Sequence, residues 1–142
     1  MERVHIRRSL VTDIDSIIEL LDQSWGGDFD KNTVIRYYHN CINQGSIFFV
    51  LLKDDKIVSM LMFSRLFKII KGGTSIGLIE EVCTHNQFRG QGLGKKLVDY
   101  VVEFSRSTDC YKVILTCSDE LISFYSKCGF YQSGNTMRVD LN

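Results

Sequence analysis

The chain has 142 residues, a length that suits one domain able to bury a real core, and its 44% apolar and 24% charged residues are ordinary for a globular protein. Seventeen basic and seventeen acidic residues cancel, which leaves no global field to draw in nucleic acid or an anionic membrane. The longest apolar run, residues 47–52, is too short to span a bilayer, and Met1-Glu2-Arg3-Val4-His5-Ile6 lacks the apolar stretch of a secretory leader. An intracellular, cytoplasmic protein is expected.

Residues 4–8 alternate like a strand. Thr12-Asp13-Ile14-Asp15 then offers a helix N-cap, after which Ile14, Ile17, Ile18 and Leu21 fall on one helical face. Beyond Gly26-Gly27, Asp30 or Asn32 caps a second helix whose apolar positions Val34, Ile35, Tyr38, Cys41 and Ile42 repeat at three and four, ending near Gly45. Residues 46–53 and 56–64 are apolar runs joined by Asp54-Asp55, which predicts an antiparallel hairpin buried on both faces. Residues 65–71 continue the second strand with a basic tint, Gly72-Gly73 interrupts it, and residues 75–85 supply another strand.

Next comes Arg89-Gly90-Gln91-Gly92-Leu93-Gly94-Lys95, and then a helix with Leu93, Leu97, Val98, Val101, Val102 and Phe104 on one face. Glycines where a strand turns into a helix suit an anion, because the helix start carries unpaired N–H groups and the positive end of its dipole. Such a turn also serves as a plain tight connection. Residues 111–116 form a short strand, Ser118 caps an acidic helix start at Asp119-Glu120, and Gly129 ends that helix after Phe124, Tyr125 and Cys128. Residues 130–141 predict a closing strand or hairpin. The order β-α-α-β-β-β-α-β-α-β implies an α/β (α+β) class: a mixed, mostly antiparallel sheet with helices on both faces, in a single domain over residues 1–142.

The five cysteines, Cys41, Cys83, Cys110, Cys117 and Cys128, are odd in number, contain no CxxC and sit within apolar patterns, so buried free thiols are expected. His5, His39 and His85 share no metal-ligand spacing with them, and no metal is predicted.

With this element order and the loop Arg89-Gly90-Gln91-Gly92-Leu93-Gly94, the chain resembles the GCN5-related N-acetyltransferase (GNAT) superfamily. In that family an Arg/Gln-x-x-Gly-x-Gly/Ala loop holds the pyrophosphate of acetyl-CoA. Two stretches are more narrowly similar to the eukaryotic glucosamine-6-phosphate N-acetyltransferases: Ile79-Glu80-Glu81-Val82, and the run from Cys110-Tyr111-Lys112-Val113-Ile114-Leu115 through Cys117 to Phe124-Tyr125-Ser126-Lys127-Cys128-Gly129-Phe130. The likeness spans about residues 65–131 and includes Lys68-Ile69-Ile70. Members of the family usually have an acidic residue where Thr116 stands, an asparagine where Leu121 stands, and a longer loop than Gln23-Ser24-Trp25-Gly26-Gly27.

The resemblance implies acetyl-CoA as cosubstrate, glucosamine 6-phosphate as acceptor on the way to UDP-N-acetylglucosamine, and a homodimer whose C-terminal strands complete the partner's site. A peptide or protein amine, or another small amine, is the alternative acceptor. A module that binds acetyl-CoA without catalysis is a third reading, against which the glutamates and Tyr125 argue.

Acetyl transfer to an amine needs a neutral nucleophile, a polarised carbonyl and a leaving thiolate. The backbone N–H groups of Val82, Cys83 and Thr84 are the candidates to hold the pantetheine and polarise the carbonyl. Glu80 or Glu81 is the candidate base. Successive strand residues point to opposite faces, so a bulge or splay is expected near residues 81–83. Tyr125 is the candidate acid for the thiolate. Neither Cys83 nor Cys117 has a flank that would activate it, so direct attack in a ternary complex is expected. The amides of Gln91, Gly92, Leu93, Gly94 and Lys95, after Gly90, suit the pyrophosphate, with the Arg89 and Lys95 side chains adding charge. Lys68, Lys112 and Arg138 are candidates for a substrate phosphate, and Ser24 and Thr116 stand where the family contacts its amino sugar or pantetheine arm.

Overall fold

The structure, a computed structural model, describes residues 2–142. Its strands are β1 (Val4–Arg8), β2 (Ile47–Lys53), β3 (Lys56–Lys68), β4 (Thr74–Thr84) and β5 (Cys110–Ile114), and its helices are α1 (Ile14–Trp25), α2 (Lys31–Asn43), α3 (Leu93–Arg106) and α4 (Ile122–Lys127). They form one sheet in the order β1-β2-β3-β4-β5. The first four strands run antiparallel to their neighbours, and β5 lies parallel to β4 after the crossover through α3.

Alternation along β2 explains the two layers. Phe49 and Leu51 point to one face, where Leu93, Leu97, Val98 and Val101 of α3 and Tyr125 of α4 complete a core with Phe63 and Ile79. Phe48 and Val50 point to the other, against Ile14, Ile17 and Leu20 of α1 and Tyr38 of α2. Each such side chain buried contributes about 1.5–3 kcal/mol. The β2–β3 turn places Asp54 and Asp55 at φ 49° and 67°, the paired positive values of a tight hairpin that twists with its strands.

Asp30 caps α2 as expected, its carboxylate accepting from the Thr33 N–H at 2.9 Å. At α1 the cap is different. A turn of 3-10 helix (Val11–Asp13) precedes the helix, and Asp13 instead accepts from the Leu10 N–H at 2.7 Å and from the Arg7 guanidinium at 2.7 and 3.1 Å, stapling β1 to α1.

Two expectations are corrected. No closing strand forms: after α4 the chain runs out as an exposed tail, with Tyr131, Met137, Val139 and Leu141 each more than four-fifths exposed. A strand exists only by pairing with an edge, and among the described residues this tail pairs with none. All five cysteines are free, yet only Cys83 is buried. Cys41, Cys110, Cys117 and Cys128 lie at the margins of the two cores, packed against them without being enclosed.

Candidate active site

Strand β4 changes character halfway. It pairs with β5 from Ser75 opposite Cys110 to Leu78 opposite Ile114, and beyond that the strands part. Residues 79–84 therefore have no strand neighbour on that side, and the backbone of Val82, Cys83 and Thr84 borders the opening. Toward β3, Met60 faces Cys83 and Met62 faces Glu80, so Leu61 alone opposes both Glu81 and Val82. This is a β-bulge, at the expected place, with Glu81 in the left-handed region at φ 55°. Such a conformation costs a residue with a Cβ about 1–2 kcal/mol.

The bulge sorts the side chains. Ile79 and Val82 both pack on the α3 side, whereas Cys83 joins the core under α1 and α2. Burial, and then the neighbouring Glu80 charge, pushes the Glu81 carboxyl above the usual carboxylate range, although the residue as a whole reaches solvent. Burial first, and then the Glu81 charge among others, raises the thiols of Cys41 on α2 and Cys83. Burial is the main reason that Cys83 is pushed up to about 12, with the Ser24 hydroxyl pulling the other way. A thiol held so high is no nucleophile at neutral pH.

Tyr125 is 8% exposed, edge-on to Phe124 at 4.9 Å and to Phe130 at 6.0 Å between ring centres. Burial, then the nearby Cys117 and Cys128, pushes its hydroxyl up to about 12, so it is a proton donor throughout the neutral range. It borders a cavity of about 600 Å³ that Lys112, Thr116, Cys117, Cys128 and the tail residue Thr136 also line. Glu80, Glu81 and the glycine loop lie outside that cavity, which is the space beside the β5 edge and under the tail.

At the glycine loop, Gly90 and Gly92 have φ of 78° and 77° with nothing within 4 Å of an added Cβ, and Gly92 is the α3 N-cap. No side chain caps this helix and no acidic residue occupies its first turn, so its leading N–H groups are free to meet an anion. Gly94 serves packing instead: a Cβ there would meet Thr84 Oγ1 at 3.2 Å and Phe124 at 3.5 Å. The two basic side chains are engaged within the chain. Arg89 Nε donates to the Thr84 carbonyl at 3.0 Å, and Lys95 donates to Asp99 one turn along the helix at 2.6 Å.

Lys53, which the sequence did not single out, reaches the loop from the end of β2, donating to Gln91 Oε1 at 2.7 Å and pairing with Glu2 at 3.0 Å. Of the phosphate candidates, only Lys112 lines the cavity. Lys68 sits at the far end of β3 opposite Thr74, and Arg138 is bound to Asp140 in the exposed tail at 2.8 Å. Ser24 is exposed at the end of α1, on the other side of the sheet from Thr116 and Tyr125. Among the described residues no group of three or more His, Cys, Asp or Glu could hold a metal ion, and no helix is long and apolar enough to cross a membrane.

A splayed sheet, a carboxylate on a bulge and an uncapped glycine-rich helix start agree with the family comparison, in which the model described as Acetyltransferase (GNAT) family matches residues 14–130. The chain belongs to the GNAT family of acetyltransferases. A Trypanosoma brucei brucei protein named glucosamine 6-phosphate N-acetyltransferase is 46% identical over 74 residues, 52% of this chain and 50% of that protein. Dictyostelium discoideum glucosamine 6-phosphate N-acetyltransferase 1 is 29% identical over 127 residues, 87% of this chain and 81% of that protein. In the strongest sequence matches the chain spans about half the length of the curated relatives. Among solved structures, a Trypanosoma brucei acetyltransferase superposes with a TM-score of 0.88 at 31% identity, covering 98% of this chain and 100% of that one. The glucosamine-6-phosphate N-acetyltransferase of Arabidopsis thaliana does so with 0.87 at 29% identity, covering 99% of each.

Proposed function

We propose that this protein transfers the acetyl group of acetyl-CoA to the amine of glucosamine 6-phosphate, by direct attack in a ternary complex. The observation that carries the reading is the bulge at Glu81, which lifts an acyl-transfer base out of a strand beside the unpaired edge of residues 79–84. The shared names of the relatives from Trypanosoma, Dictyostelium and Arabidopsis supply the acceptor.

In this mechanism the amides from Gln91 to Lys95 bind the pyrophosphate at the α3 N-terminus, and the Val82–Thr84 backbone aligns the thioester. Glu81, its affinity for protons raised by burial and then by the Glu80 charge, takes a proton from the ammonium through water. The freed amine forms the new C–N bond as the C–S bond breaks. Tyr125 gives a hydrogen bond and then its proton to the thiolate, the acylated nitrogen sheds its second proton to solvent as the neutral amide forms, and the phenolate recovers a proton from that solvent. CoA leaves as the thiol.

The test is thiol release from acetyl-CoA with glucosamine 6-phosphate, glucosamine and lysine-bearing peptides side by side. Release that depends on the phosphorylated sugar supports the proposal. Release with peptides alone transfers it to the second reading, acetylation of a peptide amine, and no release with any acceptor refutes both.

We further infer a cytoplasmic homodimer. The outer edge of β5 is open, and Phe67, Ile69 and Ile70 at the tip of the β3–β4 hairpin are exposed along with Met137, Val139 and Leu141 of the tail. An exposed apolar tail with strand alternation beside an open edge suits exchange between two copies. Light scattering of the protein with and without residues 132–142 tests this, and a monomer at micromolar concentration refutes it.

A further inference from the structure

His85 is 4% exposed and stands between the bulged strand and the glycine loop. Its main chain is fixed to the sheet by the N–H bond to the Val58 carbonyl at 2.7 Å. Its Nδ1 accepts from the Gln87 N–H at 3.2 Å, which caps the turn leading to Arg89 and leaves the ring proton on Nε2. Nε2 donates that proton to Glu19 Oε1 on α1 at 2.6 Å. One turn further along α1, Gln23 packs its amide nitrogen 3.2 Å from the same ring nitrogen, and its Oε1 accepts from the Asn86 N–H at 2.9 Å. Phe88 closes the ring edge-on, 5.5 Å between centres.

Two segments with different tasks thus share one anchor. Helix α1, whose buried residues share a core with Cys83, ends in Ser24 and Trp25 beyond Gln23, on the side that the proposed reading gives to the acceptor. Beyond Asn86 the chain enters the glycine turn, on the donor side. We propose that His85 is a positioning residue that fixes these two walls to each other, so that the acceptor amine and the thioester meet in register. This rests on the acetyl-transfer reading above.

The two ring nitrogens separate the halves of the bridge. In His85→Asn the side-chain oxygen replaces Nδ1 and keeps the turn cap but loses Glu19. In His85→Gln the longer amide reaches Glu19 but loses the cap. The expected result is an acceptor KM raised about tenfold in His85→Asn with acetyl-CoA KM within about twofold, the reverse pattern in His85→Gln, and kcat nearly constant in both. Gln23→Ala, a helix-surface change that spares the fold, should raise both KM values by about fivefold. Equal KM changes in the two His85 variants, or KM values all within twofold of the parent, overturn the proposal.

If the parent protein does not turn over glucosamine 6-phosphate, the function reading fails separately. The bridge is then read without an acceptor, from CoA affinity by calorimetry and from hydrogen exchange of the amides of residues 86–92. About tenfold faster exchange in Gln23→Ala supports the bridge, and unchanged exchange together with unchanged CoA affinity overturns it.

Discussion

Tyr125→Phe removes one oxygen and little else, which makes it the sharpest probe of the chemistry. The phenol is pushed from 10 up to about 12, so forming the phenolate in this site is harder than in water by about 3 kcal/mol. The parent thiol of the leaving group is near ~8.5 if it behaves like cysteine. Full proton transfer from a phenol at about 12 to such a thiolate is uphill, by about 5 kcal/mol. In the proposed mechanism the hydroxyl therefore acts first as a hydrogen-bond donor to charge that develops on sulfur, and the proton follows only as the C–S bond breaks. Losing one such donor lowers kcat by about 10²–10³-fold, or roughly 3–4 kcal/mol. The ring keeps its contacts with Phe124 and Phe130, so the fold and the acetyl-CoA KM should change little. Continuous measurement of thiol release gives both constants. The parent should also lose no activity through Tyr125 on the alkaline side until the pH approaches about 12. A Phe variant that keeps more than about a third of kcat, or whose acetyl-CoA KM rises in proportion, would refute the role.

Glu81→Gln should lower kcat by about 10²-fold or more and abolish the acidic limb of the pH profile, whose midpoint in the parent should lie above the ordinary carboxylate range. Because the folded pKa of Glu81 is raised, its contribution to stability is present at low pH and is lost as pH rises through the folded value, so the Gln variant should melt no lower than the parent at pH 8. Asp13 has the opposite sign. Held low first by Arg7 and then by the Leu10 N–H, against a burial effect that raises it, it contributes stability above the ordinary carboxylate pKa that is lost as pH falls through its depressed value. Asp13→Asn should cost about 1–3 kcal/mol in urea unfolding at neutral pH, an effect that fades in acid. Gly92→Ala meets no steric obstacle but must adopt φ 77°, so a cost of about 1–2 kcal/mol in stability and weaker CoA binding by calorimetry are expected.

What the sequence made legible was local. The β2 alternation, the α2 cap at Asp30, the Asp54-Asp55 turn and the glycine-rich start of α3 each lie within a few residues of their cause. What it hid was long-range or required a partner surface. Glu19 and His85 are 66 positions apart, and Lys53 and Gln91 are 38 apart, and nothing in the spacing of a helix glutamate or a hairpin lysine marks such a meeting. The tail follows the same rule: alternation at Met137, Val139 and Leu141 describes a strand's faces but not the edge that would receive it.

The bulge is where the local and the long-range readings meet. Under strict alternation Ile79, Glu81 and Cys83 would share one face, and Glu80 and Val82 the other, so a carboxylate would enter each core. Ile79 and Val82 instead pack together under α3 while Cys83 packs under α1 and α2. Only an extra residue between Glu80 and Val82 satisfies all three apolar side chains, and that residue is Glu81. Apolar packing on both faces thus holds Glu81 in a left-handed conformation that it would not adopt alone, and the carboxylate displaced by that packing is the one that the proposed mechanism uses as base. Inserting a residue that restores the alternation, or deleting Glu81, should therefore remove activity even where the fold survives.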